Sequence, residues 1–201
     1  AAEGQALESS LERALELLWG CFRQVRNSYY HAGGQVRFNP LHAGQYCLFL
    51  HFATRAVREA AGEATNLCDK LYYLNRIMHC VDLFYEAGLP DIFFVDHPLG
   101  SCMGRATYSD YLLFFQGCTV GGRKHEHPVL GKRIVMFAGA KILGRSRIGD
   151  NTVLSANACV SNQDVPGDCM VFGSSPALVF KPLPTDFLAE YFAPAPTTAA
   201  P

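Results

Sequence analysis

The chain has 201 residues, of which 49% are hydrophobic and 17% charged, and its formal net charge is −1. That length allows one large domain or two small ones around a sizeable core. A near-neutral balance without a basic run argues against a nucleic-acid partner. No apolar stretch approaches the roughly 18 residues of a membrane span and no secretory leader is visible, so no membrane partner and a cytoplasmic location are expected.

Residues 7–26 read as an amphipathic helix. Leu7, Leu11, Leu15, Leu18, Phe22 and Val25 recur at three and four, with charged residues between them. Gly33, Gly34 and Pro40 mark a loop. A second helix is predicted from about Leu41 to Ala60, ended by Gly62. A third starts near Ala64; its stripe Leu67, Leu71, Leu74, Met78, Val81 and Tyr85 runs to the stop at Gly88 and Pro90. Residues 1–90 therefore read as an α-helical domain.

Beyond Asp91 the period changes. Leu130, Met136, Ile142, Ile148, Leu154 and Val160 recur every six residues, and the fifth places hold Ile134, Ala140, Ser146, Thr152 and Ala158. Six fits neither a helix nor a plain strand. It fits a chain that turns a corner every hexad, so that three hexads close a triangular coil. The aliphatic opener points inward and the small residue lets the corner close. Such coils bury a core only by stacking, about 4.8 Å apart. Met103, Tyr108, Phe114 and Val120 look like earlier openers, with one step shortened to five. Between Val120 and Leu130 ten residues stand where six would do, which predicts a loop ejected from one corner, a usual place for function. Residues 91–182 are the β-helix domain. Residues 183–201 form a C-terminal tail, mostly disordered, with a short helix over Asp186–Phe192. The eight scattered cysteines, none in CxxC spacing, read as free thiols.

Seven histidines are present. His97, at the start of the repeat, and His127, in the ejected loop, flank the hexads. A neutral histidine can take a proton from a hydroxyl and return it to a leaving group, provided an acid orients it. Asp96 adjoins His97 but points to the opposite face of an extended segment. Asp82, fifteen residues earlier, is the better candidate; its alternative is an i, i+3 pair with His79, and chemistry alone does not choose between them.

Residues 81–176 resemble the serine O-acetyltransferase branch of the hexapeptide-repeat acyltransferases. The likeness rests on Val81-Asp82, Asp96-His97 with Gly100, Gln116, Thr119-Val120-Gly121-Gly122, His127-Pro128, Ala138 through Gly144, Ile148 through Asn151, and Asp164-Val165-Pro166. It implies a left-handed parallel β-helix behind an α-helical domain, and transfer of an acetyl group from acetyl-CoA to a hydroxyl of a small acceptor. It puts the catalytic base on His97, its orienting aspartate on Asp82 and a second active-site histidine on His127. CoA-binding backbone positions fall on Gly122, Ala138 and Ala156, the last two one coil apart, and acceptor-binding positions on Asp96 and Glu126. It implies a homotrimer or dimer of trimers, with each site built by two neighbours.

Two departures stand out. Glu126 occupies the place of an arginine that grips the serine carboxylate, and like charges there repel. The family's isoleucine-ended tail, which docks into cysteine synthase, is replaced by an ending at Pro201, so that partner is not expected. Rival readings are a sugar O- or N-acetyltransferase of polysaccharide biosynthesis, which needs no carboxylate clamp; a γ-carbonic-anhydrase-like metal site using His125 and His127; and an inactive scaffold. No metal is expected.

Overall fold

The computed structural model describes residues 2–193. Three helices come first: α1 over Ala2–Phe22, α2 over Ala43–Ala61 and α3 over Asn66–His79. α2 packs between the other two. His42 caps its start by accepting from the Gln45 N–H, and Gly62, at φ 75°, ends it by donating to the Arg58 carbonyl. Gly33 and Gly34, both at positive φ, turn a small hairpin of His31–Ala32 (β1) and Gln35–Val36 (β2) where the sequence suggests only a loop.

α3 is shorter than its apolar stripe. Cys80 takes a left-handed conformation at φ 51° and stops the helix at His79. Val81 and Leu83 are buried because they cap the first coil of the β-helix, while Leu74 and Met78 are exposed. Their helical spacing with the residues before them is a coincidence of two different burials.

The chain then winds as a parallel β-helix. In order, Phe93–Val95 (β3), Cys102–Met103 (β4), Leu112–Phe114 (β5), Thr119–Gly121 (β6), Val129–Leu130 (β7), Ile134–Met136 (β8), Lys141–Leu143 (β9), Arg147–Ile148 (β10), Thr152–Leu154 (β11), Cys159–Ser161 (β12) and Cys169–Phe172 (β13) visit three faces in turn. One face stacks β3, β5, β8, β11 and β13; the next stacks β4, β6, β9 and β12; the third pairs β7 with β10, flanked by bridges at Thr107 and Val165. All six predicted openers from Leu130 to Val160 are at most 3% exposed. The fifth-place residues are buried as well; Ser146 and Thr152 satisfy their hydroxyls on the Leu143 and Gly149 carbonyls at 2.8 and 2.7 Å. The register records the ejected loop. Val135 pairs with Val153, eighteen residues on, whereas Leu112 pairs with Ile134, twenty-two on. The excess of four is the excess of the ten-residue stretch over a hexad.

β14, over Val179–Pro182, returns antiparallel on β13 and closes the stack. A 3₁₀ turn at Phe187–Glu190 follows, and Leu188 and Phe192 enter the core. Phe192 bridges Val25, and the Ala193 N–H donates to the Gln24 carbonyl at 2.8 Å. The short helix expected over Asp186–Phe192 is thus a 3₁₀ turn, and the chain is packed as far as residue 193 because two large apolar side chains find sites; residues 194–201, the rest of the tail expected to be mostly disordered, lie outside the described residues. One continuous core joins Leu18 and Phe22 of α1 and Leu48 and Phe52 of α2 to Phe93, Phe114 and the coil interior. All eight cysteines are free. Burial pushes the Cys21 and Cys47 thiols up to about 12, which makes them inert packing residues.

His51 sits in that core against Phe52 and Phe93, and among the described residues its Nδ1 has no hydrogen-bond partner. Burial first, then the nearby Arg55 charge, lowers it to about 4 against the opposing pull of the Leu83 carbonyl. The sign follows directly. Below about pH 6.5 the unfolded chain takes up a proton that the folded chain refuses until about pH 4. Stability is therefore full above pH 6.5 and falls by about 3 kcal/mol as pH drops through that window. His51→Leu is expected to flatten the pH dependence of the melting temperature between pH 6.5 and 4; an unchanged slope would assign acid sensitivity elsewhere.

Candidate active site

The loop after β3 turns at the first corner of the β-helix. The Asp96 N–H donates to the Phe114 carbonyl at 3.1 Å, and His97 adopts φ 53°. That left-handed residue ends the extended alternation, so the Asp96 and His97 side chains approach rather than diverge. His97 Nε2 lies 3.7 Å from Asp96 Oδ1, with the imidazole 70% exposed. This corrects the expectation that Asp96 faces away; a contact so exposed contributes little energy. The Gly100 N–H donates to the Cys80 carbonyl at 2.8 Å and ties the loop to the end of α3.

Asp82 follows immediately. It is not on a helix, as its spacing suggests, but forms a parallel bridge with Cys102. Its N–H donates to the Ser101 carbonyl at 2.8 Å, and its carbonyl accepts from the Met103 N–H at 2.9 Å. The backbones of Asp82 and of the His97 loop are therefore stitched together. The proposed pair with His79 does not form: the His79 ring bonds Asn75 at 2.7 Å. Asp82 Oδ1 accepts instead from the Tyr72 hydroxyl at 2.7 Å. Among the described residues, no hydrogen bond or ion pair links Asp82, His97 and His127 side chains to one another.

The corner that carries His97 continues as a column. Gly117 N–H donates to the Leu99 carbonyl, Gly139 N–H to Gln116 and Asn157 N–H to Ala138, each at 2.9 Å. Leu99, Gln116, Ala138 and Ala156 thus stack one above another. The residues after them, Gly100, Gly117, Gly139 and Asn157, all have positive φ. At Gly139 a Cβ would meet only the tip of the Asn157 side chain, so it is the φ of 72° that favours glycine there. The two alanines proposed for CoA share one corner with His97.

Gly122 and His127 lie elsewhere. They sit past β6, at the other end of the face that β6 shares with β9. The Arg123 and Glu126 backbones pair across a tight turn, through N–H···O bonds of 2.9 and 3.0 Å, with Lys124 at φ 56°. A Cβ on Gly122 would strike the Glu126 carbonyl and the His127 ring, so only glycine lets the loop fold back there. His127, Glu126 and His125 are exposed. A three-residue strand, about 10 Å long, separates the two corners. One chain alone does not bring His97 and His127 to one point.

Among the described residues, no group of three metal-ligating side chains comes together. A cavity of about 470 Å³ lies away from both corners, between α2 and residues 85–91, and is lined by His51, Arg55, Arg58 and Tyr85. Its arginines are engaged with Glu59, Asp91 and Glu86, so it reads as an ion-pair network. No helix among the described residues is long and apolar enough to cross a membrane.

A helical segment feeding a parallel β-helix, with histidines at two of its corners, defines a hexapeptide-repeat protein with acyltransferase architecture. No protein-family model matches the chain. Over 116 residues it is 36% identical to the serine acetyltransferase of Synechococcus elongatus, covering 55% of this chain and 47% of that protein. Over the same length it is 33% identical to the Helicobacter pylori serine acetyltransferase, covering 67% of it. The chain belongs to the serine acetyltransferase family. It spans about half the length of curated relatives such as the Synechococcus protein. Solved structures agree on the fold. Isoform 3 from Entamoeba histolytica, in complex with cysteine, superposes with TM-score 0.67 at 22% identity, covering 88% of this chain and 64% of that one. A serine acetyltransferase in complex with CoA gives 0.66 at 20% identity, with 89% and 73% covered.

Proposed function

We propose that this protein is an acetyl-CoA-dependent O-acetyltransferase, serine acetyltransferase-like in chemistry, acting in the cytoplasm on a small hydroxyl-bearing acceptor. The observation that supports it most is the juxtaposition at one corner: the His97 loop, stitched to Asp82, stands at the head of the column that runs to Ala138 and Ala156. The small side chains of Ala138 and Ala156 on that column let an extended pantetheine arm approach the backbone.

In this reading His97 takes the proton of the acceptor hydroxyl as the oxygen attacks the thioester carbonyl. Asp82 orients the imidazole and stabilises its charge. The oxyanion is met by the N–H near Gly122 and by His127. Collapse breaks the carbon–sulfur bond, the imidazolium returns its proton to the leaving sulfur, and no acyl-enzyme forms. Because His97 and His127 stand at different corners, the reading requires a neighbouring copy, in a homotrimer or a dimer of trimers, to supply His127.

Glu126 argues against a free amino-acid carboxylate as the group held at this loop. The test is thiol release from acetyl-CoA with L-serine, L-threonine, glucose and N-acetylglucosamine as acceptors. Turnover with a sugar and not with serine would select the polysaccharide branch of this chemistry; no thiol release with any acceptor, and no CoA binding, would overturn the reading. Glu126→Arg is expected to lower the KM for L-serine about tenfold, the equivalent of one exposed charge reversal near a carboxylate. An unchanged KM would free Glu126 of any role in acceptor choice.

A further inference from the structure

Tyr72 lies midway along α3, ten residues before Asp82, and nothing in its sequence setting marks it. The turn through Cys80 folds the chain back so that the two side chains meet, with the phenol oxygen 2.7 Å from Asp82 Oδ1. The ring is held on two sides. Phe84 packs edge-on at 5.3 Å and Tyr85 at 6.2 Å. The Arg76 guanidinium stands 5.6 Å from the ring centroid, with Nη1 3.4 Å from the phenol oxygen. Burial, and then the Asp82 carboxylate, push the Tyr72 phenol up to about 12. It therefore remains a protonated donor throughout the neutral range. Asp82 itself is fixed at the backbone by Ser101 and Met103, so its remaining freedom is rotation of the side chain.

We infer that Tyr72 is a positioning residue of the acyl-transfer site: its hydroxyl holds one Asp82 oxygen, fixing the carboxylate rotamer and leaving the other oxygen for His97. The inference rests on the acetyltransferase reading, in which Asp82 orients the base. A carboxylate with both oxygens free samples several rotamers, and each misaligned one leaves the imidazole without its orienting partner. Supporting groups of this kind commonly contribute about ten- to a hundredfold in activity.

The test is steady-state thiol release with the acceptor that turns over fastest among L-serine, L-threonine, glucose and N-acetylglucosamine, on the full chain. Tyr72→Phe keeps the ring and removes only the hydroxyl. It is expected to lower kcat about tenfold, with the KM for acetyl-CoA and for the acceptor within about twofold of the parent. In an Asp82→Asn background the same change should cost nothing further, since two residues acting as a unit are not additive. An unchanged kcat, a rise in KM alone, or a full additional loss in the Asp82→Asn background would each overturn the positioning role. Full activity in His97→Ala would instead bring down the acetyltransferase site itself, whatever Tyr72→Phe does.

Discussion

His97→Ala is expected to lower kcat for acetyl transfer by about a thousandfold while leaving CoA binding within about twofold, because general-base catalysis contributes about 10²–10⁴ and this imidazole is the proposed base. The split between the two readouts comes from the geometry. His97 tops the column at Leu99, and the proposed CoA positions Ala138 and Ala156 lie on lower coils of the same corner, reached through backbone bonds at Gly117, Gly139 and Asn157. Truncating the ring removes no member of that column. It also removes no core contact, since the side chain is 70% exposed, so the melting temperature should hold. The left-handed φ of 53° persists with alanine at modest strain. Thiol release in a discontinuous assay, paired with calorimetric titration of CoA, separates the outcomes. Loss of both activity and CoA binding would show that the loop supports the groove rather than the chemistry. Activity within tenfold of the parent would move the base to another residue.

Much of this was legible in the residues because period six is a covalent constraint on geometry. A coil that must place an aliphatic side chain inside at every corner repeats itself in sequence, and Leu130 through Val160 do so without a gap. The ejected loop was legible for the same reason: four residues too many cannot be absorbed by a coil of fixed length. What periodicity did not carry was the junction. Val81 and Tyr85 sit on the helical phase of α3, yet Cys80 ends the helix, because the next residues gain more by pairing with Ser101–Met103 than by another helical turn. A helix continued past Cys80 would put His79 in reach of Asp82; the turn at Cys80 instead brings Asp82 to Tyr72 and the His97 loop. An alternating strand cannot anticipate one left-handed residue, and the single φ of His97 brings Asp96 to its side. The separation of His97 from His127 was also hidden, because sequence order shows that both flank the hexads but not which corners they occupy.

Phe114→Ala is expected to destabilise the fold by about 4 kcal/mol, the middle of the range for truncating a fully buried aromatic ring, and to lower the melting temperature by about 10 °C for a chain of this size. Phe114 is fully buried. Its strand, β5, lies between β3 and β8, and its ring lies nearly parallel to Phe93, with centroids 6.5 Å apart. Phe93 in turn touches Phe52 of α2 at 5.7 Å. The ring is thus the link by which the second coil holds the first coil and the helices at once. Stacked coils share their core only with neighbours, so a cavity here weakens the junction that also fixes Asp82 and the His97 loop. Activity should therefore fall well below the melting temperature of the variant, as the junction loosens before the coils beyond β8 do. Phe180→Ala supplies the control: that ring is 40% exposed on β14, and its loss should change stability by no more than about 0.5–1 kcal/mol. Equal losses at the two positions would mean that the stack melts as one unit, with no weak point at the junction between helices and coils.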